Sequence, residues 1–274
     1  MRKTMLIAGL LLPLAAAAQE PQCKHSQPRN LQLDLAGVRT VVFEIGSHDL
    51  RVDSRPGASA AVQGRACASN ADDLATLRLS QHRSGDTLLI RAENENRAFG
   101  FSFGNRYAYL KLEASLPDTV PVQLKVGSGD AVVTGAPALD ASVGSGEATA
   151  RRIRGLTSAS VGSGEIELED IGSLRVSSIG SGEITARQVR GNVEVGGIGS
   201  GDFGLDGASG DVKIRSIGSG DAELRNVSGA VRVDSIRSGD LDVRGAASLS
   251  VGSIGSGDAS HRDVRGAIDL PRKR

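Results

Sequence analysis

Apolar and polar side chains alternate in short runs along the second half of the chain. Ile166 and Leu168 are interleaved with Glu165, Glu167 and Glu169, and Ala222 and Leu224 with Asp221, Glu223 and Arg225. Phe203 with Leu205 and Leu241 with Val243 repeat the pattern. A period of two is that of a strand with one face buried. A small or apolar residue follows each run, at Ile153, Ile171, Val189, Ala208, Val227 and Val264. A second short run comes next: Leu174-Arg-Val176, Val193-Glu-Val195, Val212-Lys-Ile214, Val231-Arg-Val233 and Leu249-Ser-Val251. An isoleucine closes it at Ile179, Ile198, Ile217, Ile236 and Ile254. Each unit is therefore two strands with an aliphatic row on one face.

The units are joined by Gly-Ser-Gly-Asp/Glu, which occurs eight times, beginning at Gly127, Gly144, Gly162, Gly180, Gly199, Gly218, Arg237 and Gly255. The steps are 17, 18, 18, 19, 19, 19 and 18 residues. One unit cannot bury its aliphatic row alone, but stacked units can, each strand pairing in parallel with its equivalents at a spacing of about 4.8 Å. The pattern predicts an all-β chain, a right-handed parallel β-solenoid of about 18-residue coils, the hand following from the rule for parallel crossovers. A hexapeptide helix does not fit, because six-residue steps from Ile217 reach Glu223 and Gly229. Calcium-binding nonapeptide rolls need paired glycines and acids twice as often as they occur here.

Within the corner, the second glycine is invariant among the copies: Gly129, Gly146, Gly164, Gly182, Gly201, Gly220, Gly239 and Gly257. The first is replaced once, by Arg237. This predicts a positive φ at the second glycine and a serine side chain that satisfies corner backbone groups. Residues 19–126 form a less regular β-rich region, read as degenerate coils or as an abutting sheet and cap. Ile45-Gly-Ser-His-Asp-Leu-Arg-Val52 looks like a degenerate copy with His48 at the glycine position. Arg83-Ser-Gly-Asp86 is either another copy or the turn between two strands. Residues 127–274 hold the eight coils, and His261, Pro271 and the basic tail suggest a C-terminal cap.

The ends of the chain add a compartment. Arg2 and Lys3, the apolar stretch Met5 to Leu14 and Ala16-Ala17-Ala18 read as a signal peptide over residues 1–18. No segment of the mature chain is apolar and long enough to span a membrane as a helix. Removing the leader leaves 30 Lys+Arg against 32 Asp+Glu, a balance that gives no reason to expect nucleic acid as partner. Cys23 and Cys67, the two cysteines, are expected to form one disulfide in an oxidising compartment.

Two groups of residues are candidates for chemistry. The first is the acid of each corner: Asp130, Glu147, Glu165, Glu183, Asp202, Asp221, Asp240 and Asp258. Stacking brings these like charges together, and either calcium or the arginines four positions on (Arg151, Arg187, Arg225, Arg244 and Arg262) could balance them. The arginine-balanced, solvated face is the reading adopted, with Asp and Glu exchanging freely. The second is the cluster Phe99, Phe101, Phe103, Tyr107 and Tyr109, five of the chain's seven aromatic residues. It suits either packing against the solenoid or contact with a ligand. The four histidines lack metal-ligand spacing or a partnered nucleophile. No catalytic residue, cofactor or metal site is assigned.

The export signal, the irregular β start, Leu116-Pro-Asp-Thr-Val-Pro-Val122 and coils such as Ile217-Gly-Ser-Gly-Asp-Ala-Glu-Leu224 resemble the bacterial putative-adhesin family that includes the auto-transporter adhesin head domain GIN. The resemblance covers most of residues 30–270 and includes no C-terminal membrane barrel. It implies a β-solenoid of the cell envelope, with no family catalytic residues to carry over. The expected function is that of an exported, non-enzymatic binding or structural module in the periplasm or at the cell surface. Its expected partner is envelope polysaccharide or protein. The alternatives are a polysaccharide-acting enzyme using the ladder acids and a calcium-stabilised surface repeat.

Overall fold

Successive coils pair residue for residue, as the aliphatic rows require. In a computed structural model, which describes residues 23–95 and 106–271, Glu165, Ile166, Glu167 and Leu168 lie beside Glu183, Ile184, Thr185 and Ala186. Those in turn lie beside Asp202, Phe203, Gly204 and Leu205. The expected signal peptide, Phe99, Phe101, Phe103 and the tail at 272–274 lie outside the described residues.

Each coil runs along one parallel column of strands and returns along a second. The first column includes Asp130–Thr134, Glu183–Val189, Asp202–Ala208, Ala222–Val227, Asp240–Ala246 and Asp258–Val264. The return column includes Leu139–Val143, Val193–Ile198, Val212–Ile217, Ala230–Ile236 and Ser248–Val251. In Glu147–Val161 and Glu165–Ile179 the two legs are continuous. The alternate residues of both columns are buried, and together they make one core. Phe203, the one aromatic in the repeat, is fully buried, and its neighbour on one side is the small Ala222.

The corner works differently from the expectation. None of the second glycines has a positive φ. What excludes a side chain there is the coil before it. A Cβ on Gly146, Gly164, Gly182, Gly201, Gly220, Gly239 or Gly257 would overlap the carbonyl oxygen of the second glycine in the preceding coil. At the first glycine the same atom would meet a carbonyl oxygen at 2.5 Å (Gly180, Gly218 and Gly255) to 2.8 Å (Gly144 and Gly162), a milder conflict. That difference explains why Arg237 is admitted at the first position and nothing but glycine at the second.

The serine side chain is not needed to satisfy the corner either. The first glycine's carbonyl accepts two N–H groups from the next coil: Gly144 O from Ser163 N at 2.7 Å and from Gly164 N at 3.1 Å. The ladder thus continues through the turn, and the corner serines, all exposed, make no side-chain hydrogen bond among the described residues.

The positive φ belongs to the opposite corner, eight residues after the first glycine. Gly135, Arg152, Asp170, Gln188, Gly207, Asn226, Gly245 and Asp263 all adopt it, with φ between 54° and 85°. Six of these eight are Gly, Asn or Asp, the residues that tolerate this conformation best.

The N-terminal region is both coil and cap. Thr40–Glu44 and Asp49–Arg55 form a coil that pairs in parallel with Val122–Val126 and Asp130–Thr134. His48 sits at the glycine position of that coil, as read from the sequence. Thr87–Asn94 and Ala108–Pro117 add a further coil on its outer side, also in parallel. The chain therefore builds outward first and then passes back over its own coil to start the regular stack. Antiparallel strands cover the outer end: Ala61–Ala68 on Ala108–Pro117, His25–Pro28 and Leu31–Gln32 on Ala61–Ala68, and Leu77–Ser84 on Thr87–Asn94. Arg83 to Asp86 is the turn of that last hairpin, with Gly85 at φ 60°. Leu33 is buried against this end of the core, and Cys23 and Cys67, with Cα atoms 5.3 Å apart, form the expected disulfide.

His48 is buried because its outer neighbour is an extended strand and not another corner. Its Nδ1 accepts a hydrogen bond from Leu110 N at 3.3 Å, and burial lowers its pKa, keeping the ring neutral.

The two corners make opposite demands on side chains. Gly201→Ala is expected to destabilise the protein by about 2 kcal/mol or more, because a backbone carbonyl has to move. Gln188→Gly is expected to stabilise it by about 1 kcal/mol through relief of the left-handed conformation. Urea unfolding of both variants checks this, and a Gly201→Ala protein as stable as the parent would contradict the close-approach explanation.

Candidate functional site

Stacking places the corner acids in one continuous row on the outer margin of the first column. Glu147, Glu165, Glu183 and Asp202 are direct neighbours in register, as are Asp240 and Asp258. The row extends past the repeat to Asp49, where the N-terminal coil continues the column. Lys111 pairs in register with Asp49, so a lysine follows the acids at that end.

The arginines four positions on do not balance this row, contrary to expectation. Four residues along a strand is about 13 Å, and an arginine reaches the acids nearer to it first. Arg151 pairs with Glu169 at 3.2 Å, Arg244 with Asp242 at 2.7 Å, and Arg225 with Glu223. None of Asp130, Glu147, Glu165, Glu183, Asp202, Asp221 and Asp240 forms an ion pair among the described residues. The Glu165 carboxyl is accordingly held above the usual carboxylate range, first by partial burial and then by Glu183, Glu167 and Glu147. Asp49 is raised in the same way by burial and by Asp130, with Lys111 opposing.

Aspartate and glutamate do not exchange freely in the row. The Asp202 Oδ1 accepts the backbone N–H of Asp221 at 3.0 Å, Asp221 accepts that of Asp240 at 3.0 Å, and Asp240 that of Asp258 at 2.9 Å. In the glutamate coils the same N–H goes to a glycine carbonyl, as from Glu165 N to Gly146 O at 3.0 Å. Asp202, Asp221 and Asp240 are thus part of the ladder; at Asp130 the next N–H, from Glu147, goes to Gly129 O at 3.1 Å, and Glu183 accepts the Thr185 hydroxyl at 3.0 Å instead. The same device recurs where Asn192 Oδ1 accepts from Asp211 N and Asp211 Oδ1 from Ala230 N.

Beside the glutamates runs a shallow groove of about 340 Å³, lined by the carboxylates of Glu147, Glu165, Glu183 and Asp202 and by Ser145, Ser163 and Ser181. A second, of about 380 Å³, continues along Asp221, Glu223, Asp240, Asp242 and Asp258. The face can offer acceptors from carboxylates and donors from serine hydroxyls at each coil. A larger cavity of about 570 Å³ lies at the N-terminal end between Glu44, Ser47, His48, Arg91 and Glu93. Glu44 is held there by Lys125 at 2.8 Å and Arg91 at 3.0 Å, which lower its pKa. No group of three or more His, Cys, Asp or Glu among the described residues is arranged to hold a metal.

Of the aromatic cluster, Tyr107 and Tyr109 are described. Both are half-buried, with ring centroids 6.0 Å apart, and the Tyr107 hydroxyl accepts the Lys24 N–H at 3.0 Å. Tyr109 lies opposite Cys67, so the disulfide and both rings share one patch of the N-terminal cap. Nearby Arg106 pairs with the buried Asp73, whose carboxyl it holds below the ordinary range.

Comparisons with known proteins follow the fold. Residues 39–248 match the family described as Toastrack DUF4097. The chain belongs to this family. A solved structure of a putative adhesin from Parabacteroides distasonis ATCC 8503 is similar over 87% of this chain and 97% of that one, at 15% identity and a TM-score of 0.54. A putative lipid binding protein from the same organism is similar over 87% and 97%, at 17% identity and a TM-score of 0.50. At these identities the likeness is one of fold, in agreement with the resemblance read from the sequence. No curated protein matches the chain. No helix among the described residues is long and apolar enough to cross a membrane.

The acid row makes a signed prediction. Because the folded state raises the Glu165 pKa, ionised Glu165 opposes folding at neutral pH, and that opposition fades as pH falls through the raised value. Glu165→Gln is expected to stabilise the protein by roughly 0.5 kcal/mol at pH 7. The gain should vanish below the ordinary glutamate pKa. Thermal melts of both proteins across pH 3–8 (a range of about five units around the carboxylate values) check this, and a pH-independent difference would contradict it.

Proposed function

We propose that this Toastrack-family protein is an exported, non-enzymatic binding or structural module of the bacterial cell envelope. The observation that carries the reading is the row of corner carboxylates and exposed serine hydroxyls, in which the acids from Asp130 to Asp240 form no ion pair among the described residues. Such a row suits a partner that is itself repetitive and rich in hydroxyl groups, as an envelope polysaccharide is, because each coil can offer the same acceptor and donor at the strand spacing of about 4.8 Å. The Cys23–Cys67 bridge supports an oxidising compartment. The aromatic segment that includes Phe99, Phe101 and Phe103, which precedes the half-buried Tyr107 and Tyr109 in the sequence, supplies the proposed specific contact.

Retention of the purified protein on isolated envelope polysaccharide tests both parts. Joint replacement of Glu147, Glu165 and Glu183 by glutamine is expected to weaken retention about tenfold, since each position loses its charge and exchanges one acceptor oxygen for an amide donor while the fold is kept. Phe101→Ser with Phe103→Ser is expected to weaken it separately. Unchanged retention in both variants, with melting temperatures at or above that of the parent, would overturn the reading.

A further inference from the structure

The two ends of the stack are finished differently. At the N-terminal end, antiparallel strands cover the outermost coil, and Leu33 and Leu77 are buried against the core. At the other end, Asp258–Val264 pairs with Asp240–Ala246 alone, and Ile268–Asp269 with Ser248–Val251 alone, among the described residues. The expected C-terminal cap thus takes the form of one more coil. Its inward positions lose their cover: Ala259 lies beside the buried Leu241 and His261 beside the buried Val243, yet Ala259 is only half-buried, His261 is exposed, and Ile268 is 44% exposed. An exposed strand edge of this kind is a template for another strand.

We propose that this end is covered by the same end of a second copy, giving a closed two-fold dimer in which two solenoids meet tail to tail. The last strand of the first column, Asp258–Val264, is complementary to itself. When two copies of Asp258–Val264 run antiparallel with Ser260 opposite Ser260, the outward Asp258 of each copy faces the outward Arg262 of the other. The inward Ala259 then faces the inward His261. Side chains of like orientation meet in this register and opposite charges pair twice, whereas a shift by one residue turns inward positions outward. Arg262 has no ion pair within its own chain among the described residues, while the equivalent Arg244 is paired with Asp242. A tail-to-tail contact uses the same surface on both partners and therefore stops at two. Growth into a filament would need the N-terminal end as well, and that end carries its own antiparallel cover.

Sedimentation velocity of the protein purified after export, together with two cysteine variants, tests the proposal. The parent is expected to sediment as a dimer at micromolar concentration. Ile268→Lys, at an exposed position that folding does not depend on, and Arg262→Asp are each expected to give a monomer with an unchanged far-UV spectrum. Asp258→Arg combined with Arg262→Asp is expected to restore the dimer, because the reversed pair is again self-complementary. Ser260→Cys is expected to form an intermolecular disulfide, since opposed residues of an antiparallel pair lie about 4.5–5.5 Å apart between Cα atoms. Ser84→Cys, on the outer strand of the N-terminal end, is expected to form none. A parent that is monomeric throughout, a dimer indifferent to Ile268→Lys and Arg262→Asp, or a ladder of species larger than two would each overturn the proposal.

Discussion

The approach of one glycine to the glycine of the preceding coil is the contact on which the rest of this structure depends. At the second glycine of each corner there is no space for even one carbon beyond the backbone. That closeness lets the strand ladder run through the turn, so that corner N–H groups are bonded to the coil before them and do not need side-chain partners. With the corner fixed, register is fixed, since a slip of one residue would put a Cβ into the carbonyl. The aliphatic rows then fall on one another, and the core forms as one continuous layer with no break between coils.

The same contact has an electrostatic consequence. It brings the acid after each corner beside the acid of the next coil, and the arginines further along are engaged by nearer partners. Part of the cost is offset where aspartates accept backbone N–H groups from the following coil. At Glu165 no such bond is made, and its carboxyl pKa is raised, first by partial burial and then by Glu183, Glu167 and Glu147. A row of like charges is tolerated because the stack holds it in place through its buried core and its hydrogen-bonded ladder, much as strained groups persist at sites whose surroundings over-determine them. The proposed binding face is thus a product of how the coils stack.

Much of this was legible in the sequence, because a solenoid writes its period directly into the chain. The alternation around Ile166 and Leu168 and the spacing of the corners carried the fold, and the degenerate copy at Ile45–Val52 was readable as a coil. The role of the second glycine was misread, because its invariance is compatible with either positive φ or close approach, and only the neighbouring coil distinguishes them. The true left-handed column did leave a signal: Gly135, Asp170, Gly207, Asn226, Gly245 and Asp263 recur at the repeat spacing. Arg152 and Gln188 obscured it. The arginine pairing was misjudged because spacing along a strand says which face a side chain occupies and not which acid it reaches first. The path of the N-terminal region, out to a further coil and back over the first, leaves no periodic trace in the sequence.

Hydrogen exchange at the corner amides tests the close-approach account most directly. Ser145, Ser163, Ser181, Ser200 and Ser219 lie in exposed turns whose side chains face solvent, yet each N–H is bonded to a glycine carbonyl of the preceding coil at 2.7 to 2.8 Å. If the stack is locked through its corners, these amides exchange as slowly as those of the flanking strands, opening only with the coil itself. Exchange at the rate of a surface loop, with the strands still protected, would show that the corners are ordinary turns and that the close approach does not hold the coils together.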